Sequence, residues 1–89
     1  QNAQGNNVET LYKIIEDRAE ALEFRIQGEG PVTGMSLEQL SLKPNILIAG
    51  IIRNRQAIIP GGDDVILPGD RVVVLAADRK LRELSDILR

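Results

Sequence analysis

Ile58-Ile59-Pro60-Gly61-Gly62-Asp63-Asp64-Val65-Ile66-Leu67-Pro68-Gly69-Asp70, continued by Arg71-Val72-Val73-Val74-Leu75, is the stretch whose reading decides the fold of this chain. Two strand-like apolar runs flank a turn-rich acidic segment, and Pro68-Gly69-Asp70 launches the second run. Proline presets one turn dihedral, glycine supplies a positive one, and aspartate side chains bond nearby backbone N–H groups. Asp63, Asp64 and Asp70 therefore read first as turn residues. As a cation site they would supply only part of the six or more oxygens that calcium takes.

Upstream, Ile46 to Arg53 is a near-continuous β-branched run, which predicts a strand buried on both faces. Asn54-Arg55-Gln56 reads as a hairpin turn and Ala57-Ile58-Ile59-Pro60 as the returning strand. Pro60 lacks an N–H and marks a strand end or an edge. Downstream, Arg71 to Ala77 is the last strand. Asp78 is a candidate N-cap for a C-terminal helix in which Leu81, Leu84, Ile87 and Leu88 recur at helical spacing.

Nearer the N-terminus, Ala19 to Ile26 alternates, with Leu22, Phe24 and Ile26 on one side, and predicts a half-buried strand. Val32 to Met35 is short and extended. Ser36, with Gln39 three residues on, has the capping-box pattern and predicts a helix of about one to two turns. Val8, Leu11, Tyr12, Ile14 and Ile15 fit a helix face moderately; a strand is the alternative. Residues 1–7 are polar and read as a linker or a cloning remnant, 8–18 as a connecting segment and 19–89 as the folded domain. The expected class is α+β: a small two-layer domain with a short antiparallel or mixed sheet, a short helix after the first strand and a C-terminal helix.

Composition narrows the function. The chain has 89 residues and a net charge of −2, with one Phe and one Tyr, so its core is aliphatic. It carries no dense basic run and few stacking platforms, which argues against nucleic acid. It has no Cys and no His, which removes thiolate metal sites and the commonest general base and metal ligand. Ser36, Ser41 and Ser85 consequently have no His partner. The seven-residue run Ile46 to Ile52 is far short of the roughly 20 residues a spanning helix needs. Gly28-Glu29-Gly30-Pro31-Val32-Thr33-Gly34 misplaces the third glycine of the dinucleotide fingerprint and is not followed at once by a helix, so it reads as a turn. No enzyme is expected, and no metal or cofactor.

Arg53 and Arg55 flank the expected hairpin turn. Arginine suits bidentate recognition of phosphate or carboxylate. The plainer readings are an exposed turn charge or an ion pair with one of the aspartates.

At Ile51-Ile52-Arg53-Asn54, Ile58 to Asp64 and Pro68 to Val74 the chain resembles a TrkA C-terminal domain, also called the RCK C-terminal domain. Val32 to Leu40 resembles that family's entry of short strand, glycine and short helix, and Ala19 to Phe24 its opening segment. The resemblance implies a non-catalytic regulatory module of a potassium uptake system, cytoplasmic and peripheral to the inner face of the membrane. It implies a homodimer that acts on a membrane-embedded transporter subunit through the full-length protein. NAD would belong to a Rossmann domain outside this chain. In some members a cyclic dinucleotide such as cyclic di-AMP binds, and the corresponding residues here are Ile51, Ile52, Arg53, Ile58, Ile59 and Pro60. Two rival readings are a ligand-sensing domain of another ion transporter or antiporter, and a small β-rich DNA-binding or interaction dimer.

Overall fold

The computed structural model describes residues 20–77 and 81–89. Its four strands are β1 (Glu20–Arg25), β2 (Ile46–Arg53), β3 (Gln56–Ile58) and β4 (Arg71–Ala76). They form one antiparallel sheet in the order β1-β4-β2-β3. The last strand in sequence is thus inserted between the first two, and pairs with both.

Alternation along β4 separates the two faces of the sheet. Val72, Val74 and Ala76 are buried, while Arg71, Val73 and Leu75 are half-buried. On the core face, Leu22 and Phe24 of β1 stand opposite Val74 and Val72. Ile46, Ile48 and Ile51 of β2 stand opposite Ala76, Val74 and Val72. Those three β2 positions cannot share a face in a regular strand, because parity changes between Ile48 and Ile51. The register shifts between Ile48 and Gly50, leaving Ala49 as the extra residue of a β-bulge. The bulge turns Ile51 into the core and sends Ile52 to the outer face.

Val32, Leu40, Ile66, Leu81 and Ile87 cover the core face. Each fully buried aliphatic side chain here, such as Ile51, Ile66 or Ile87, contributes about 1.5–3 kcal/mol by leaving water. The covering layer is bonded to itself across sequence. Thr33 bridges Ile66 and Ser36 bridges Val65.

Among the described residues the predicted strands are present, whereas the helices expected after Ser36 and near the C-terminus are single 3₁₀ turns. Leu37–Gln39 is a single 3₁₀ turn, and Ser36 makes no side-chain cap. The reason is competition. Leu37 N–H donates to Asp64 O at 2.8 Å and Glu38 N–H to Gly62 O at 2.8 Å, while Gln39 N–H donates to Ser36 O. The helix-start donors are already satisfied by the acidic loop and the turn itself, so the hydroxyl has none to accept from. Among the described residues 81–89, Leu84–Ile87 is helical, again 3₁₀. Lys43 N–H donates to Ile87 O at 2.7 Å and Arg89 N–H to Ser41 O at 2.9 Å, so the chain leaves helical geometry to pair with residues 41–43. Asp86 accepts from the N–H groups of Arg82 and Glu83, which hold its carboxyl below the usual carboxylate range. The helix or strand expected over residues 8–18, and the Asp78 cap, lie outside the described residues.

Candidate functional site

The β2–β3 hairpin carries four of the six expected site residues, Ile51, Ile52, Arg53 and Ile58, and Ile59 and Pro60 follow it. Its turn is two residues long: Arg53 pairs with Gln56, and Asn54 and Arg55 have φ of 50° and 66°. Two consecutive positive φ values define a type I′ turn, whose twist matches that of the strands. Gln56, expected in the turn, is the first residue of β3.

Around this hairpin the expected residues separate. Ile51 and Ile58 are cross-strand partners on the core face, and Ile51 is only 1% exposed. Ile52 pairs with Ala57 on the outer face. Ile59 is 84% exposed, whereas Pro60 is buried. The exposed surface here therefore comes from Ile59, Ala57 and part of Ile52, with Arg53 at the hairpin's end.

Arg53 is held by a network. Its Nε donates to Asp70 Oδ1 at 2.8 Å, and its Nη2 donates to Asp70 Oδ2 at 2.7 Å and to Val65 O at 2.8 Å. Asp70 Oδ2 also accepts the N–H of Leu67 at 2.8 Å. The Asp70 side chain is 2% exposed and that of Arg53 31%. This planar two-point geometry is the strongest form of an arginine–carboxylate pair. The pair lowers the Asp70 carboxyl below the usual carboxylate range against the opposing effect of burial, and the Leu67 N–H adds to it. It raises the Arg53 guanidinium. Of the two plain readings of Arg53, the ion pair with an aspartate is the one the fold adopts.

Asp70 precedes β4 in the Leu67-Pro68-Gly69-Asp70 turn, closed by Asp70 N–H donating to Leu67 O at 3.1 Å. Proline at the second position and Gly69 at φ 93° make this a type II turn. The same turn meets β1: Ile26 N–H donates to Asp70 O and Gly69 N–H to Ile26 O. Arg53 thus ties the hairpin to the start of the central strand and, through it, to the end of β1.

The other aspartates serve the loop. Asp64 Oδ2 accepts Gly61 N–H at 2.7 Å, as an aspartate in a turn does. Among the described residues no three acidic, His or Cys side chains are grouped to hold a metal ion. The glycine stretch 28–34 is a turn in which Gly30 N–H donates to Thr33 Oγ1. The sequence allowed an aspartate as the partner of Arg53 but singled out neither Asp70, nor the second acceptor Val65 O, nor the Leu67 N–H that bonds Asp70. The sequence offered three aspartates, and only the parity change at Ala49 selects Asp70.

The sheet order and loop packing define a fold of the RCK type. A solved structure described as "Structure of RCK domain with cda" aligns with a TM-score of 0.57 and 28% identity, covering 65% of this chain and 81% of that one. The chain belongs to the TrkA-C domain family, whose sequence profile matches residues 21–89. Among similar proteins, Trk system potassium uptake protein TrkA homolog 2 of Methanosarcina mazei is 25% identical over 85 residues, 96% of this chain and 19% of that protein. TrkA homolog 1 of the same organism is 32% identical over 72 residues, 81% of this chain and 16% of that protein. The TrkA homolog of Archaeoglobus fulgidus is 31% identical over 70 residues, 79% of this chain and 16% of that protein. The chain thus spans about a fifth or less of the length of these relatives.

Proposed function

We propose that this domain is the non-catalytic, cytosolic regulatory unit of a potassium uptake protein, that it pairs with a second copy, and that a small ligand biases the pair. The observation that carries this reading is the TrkA-C match over residues 21–89, together with Trk relatives aligned over 79–96% of the chain. The transporter subunit it acts on is membrane-embedded and reached through the full-length protein. NAD, in this reading, is bound by a Rossmann domain outside this chain and not by this domain. Among the described residues no helix is long and apolar enough to cross a membrane.

Pairing is supported by the outer face of the sheet. Leu47, Ile52, Val73 and Leu75 lie there half-buried, with Ala57 and Ile59 more exposed beside them. Such aliphatic surface is what hydrophobic homodimer interfaces cover. The ligand reading places a cyclic dinucleotide such as cyclic di-AMP at Ile51, Ile52, Arg53, Ile58, Ile59 and Pro60. There Ile59 offers apolar surface and Arg53 a charge. Regulation then requires only that the ligand bind one arrangement of the pair more tightly than the other.

Sedimentation of the 89-residue chain over a concentration series tests the pairing; a dimer is expected, and a monomer at the highest concentrations contradicts it. Thermal unfolding with cyclic di-AMP tests the sensing role. Saturating ligand is expected to raise the midpoint, because a ligand that binds only the folded state stabilises it by mass action. An unchanged midpoint contradicts the sensing role and leaves the pairing to stand or fall on sedimentation.

A further inference from the structure

We infer that Asp70 is a positioning residue for anion recognition by Arg53, holding the guanidinium so that a single edge, Nη1, faces a phosphate-bearing ligand. The inference rests on the ligand reading given above and adds a residue and a contact geometry to it.

A guanidinium has five N–H donors. Three are committed: Nε–H to Asp70 Oδ1, and the two on Nη2 to Asp70 Oδ2 and Val65 O. The two that remain are both on Nη1, and among the described residues Nη1 has no hydrogen-bond partner. Arg53 therefore cannot grip a phosphate side-on through Nε and Nη2 while Asp70 is in place. It presents Nη1 alone, at the end of the hairpin, with the plane of the group fixed by Asp70. Asp70 is itself fixed, being buried and bonded to Leu67 N–H. Holding a long side chain in one rotamer before the ligand arrives removes an ordering cost from binding. The carboxylate is too buried to meet the ligand, so its whole effect passes through Arg53.

The test is a calorimetric double-mutant cycle on the 89-residue chain, with cyclic di-AMP as the probe. It compares wild type, Asp70→Asn, Arg53→Lys and the double variant. Asp70→Asn is nearly isosteric but weakens the two-point grip. Arg53→Lys keeps the charge but cannot span both Asp70 oxygens and Val65 O. Each single variant is expected to weaken binding about tenfold, and the double variant to be no weaker than either single. The Arg53 Nε–H resonance gives a readout that a loss of general stability does not mimic. It is expected to be slow to exchange in wild type and fast in folded Asp70→Asn. If Asp70→Asn does not fold, Arg53→Lys decides alone: affinity equal to wild type shows that any positive charge suffices and overturns the inference. Equal or tighter binding by Asp70→Asn, or losses that simply multiply in the double variant, also overturns it while the ligand reading stands. If wild type itself does not bind, the ligand reading fails and the inference falls with it.

Discussion

Arg53 meets Asp70 because β2 contains one residue more than its partner strand. Ile52 is paired with Arg71, so the next step in register sets Arg53 against Asp70. Both lie on the core face only because Ala49 is bulged out between Ile48 and Gly50. In an unbroken strand, Arg53 would share a face with Leu47 and point away from the aspartate. One backbone irregularity therefore decides both the packing of Ile51 and the placement of the candidate site's charge.

Removing either member of this pair leaves the other without its counter-charge in a largely buried site. Asp70→Ala and Arg53→Ala are each expected to lower unfolding stability by about 3 kcal/mol, read from urea or guanidinium midpoints. Replacing the pair together by apolar residues, as in Arg53→Met with Asp70→Leu, should recover much of that loss. A double replacement as unstable as the sum of the singles would count against a coupled pair.

The same pair fixes the sign of an acid dependence. Asp70's carboxyl is lowered in the folded state, chiefly by the Arg53 hydrogen bonds. The stability it contributes is therefore fully present above the unfolded carboxylate value near 3.8. It is lost as pH falls through the lower folded value. The stability difference between wild type and Asp70→Asn should be constant from neutrality down to about pH 5 and close below that. A difference that instead widens on acidification contradicts the assignment.

Arg55 occupies a left-handed position at φ 66° in a type I′ turn, where glycine is strongly preferred. Its side chain takes part in no described hydrogen bond or ion pair. Arg55→Gly is expected to stabilise the protein by up to about 1 kcal/mol, by relieving strain of the size a non-glycine residue meets there. Thermal and denaturant midpoints check this, and a clear loss of stability would mean that Arg55 makes a contact the fold depends on.

Two glycines should respond oppositely to alanine. Gly69 sits at φ 93° in the type II turn ahead of β4, so Gly69→Ala is expected to cost about 1–2 kcal/mol. A methyl on Gly50 would approach Ile58 O at 3.8 Å and Val73 Cβ at 3.9 Å, which is ordinary contact. Gly50→Ala is expected to be neutral or stabilising by less than about 1 kcal/mol. Denaturation of both variants under one condition reads the contrast directly, and equal losses would contradict it.

The strands were legible because their apolar patterns are local: Leu22 and Phe24 alternate with exposed partners, and the β2 run is unbroken by charge from Ile46 to Ile52, with four isoleucines. The helices were not, because non-local bonds decide them. The donors behind Ser36 go to Asp64 and Gly62, and Ile87 O is taken by Lys43, choices that no local spacing encodes. The family could be read from motifs spread over the chain, such as Ile58 to Asp64 and Pro68 to Val74. The internal order of the site could not. A period-two reading cannot show that Ile52 and Ile51 exchange faces at Ala49, nor that the aspartate chosen by Arg53 is the one that launches β4. Ile59 and Pro60, adjacent in sequence, end up 84% exposed and buried, respectively.

The central claim, that the β2–β3 hairpin is the ligand-facing element of this TrkA-C domain, is tested most directly by backbone and arginine side-chain NMR of the 89-residue chain titrated with cyclic di-AMP. The predicted result is saturable shifts concentrated at Arg53 and residues 57–60, with residues 83–89 unmoved. Shifts concentrated elsewhere, or no shifts at millimolar ligand, would contradict it.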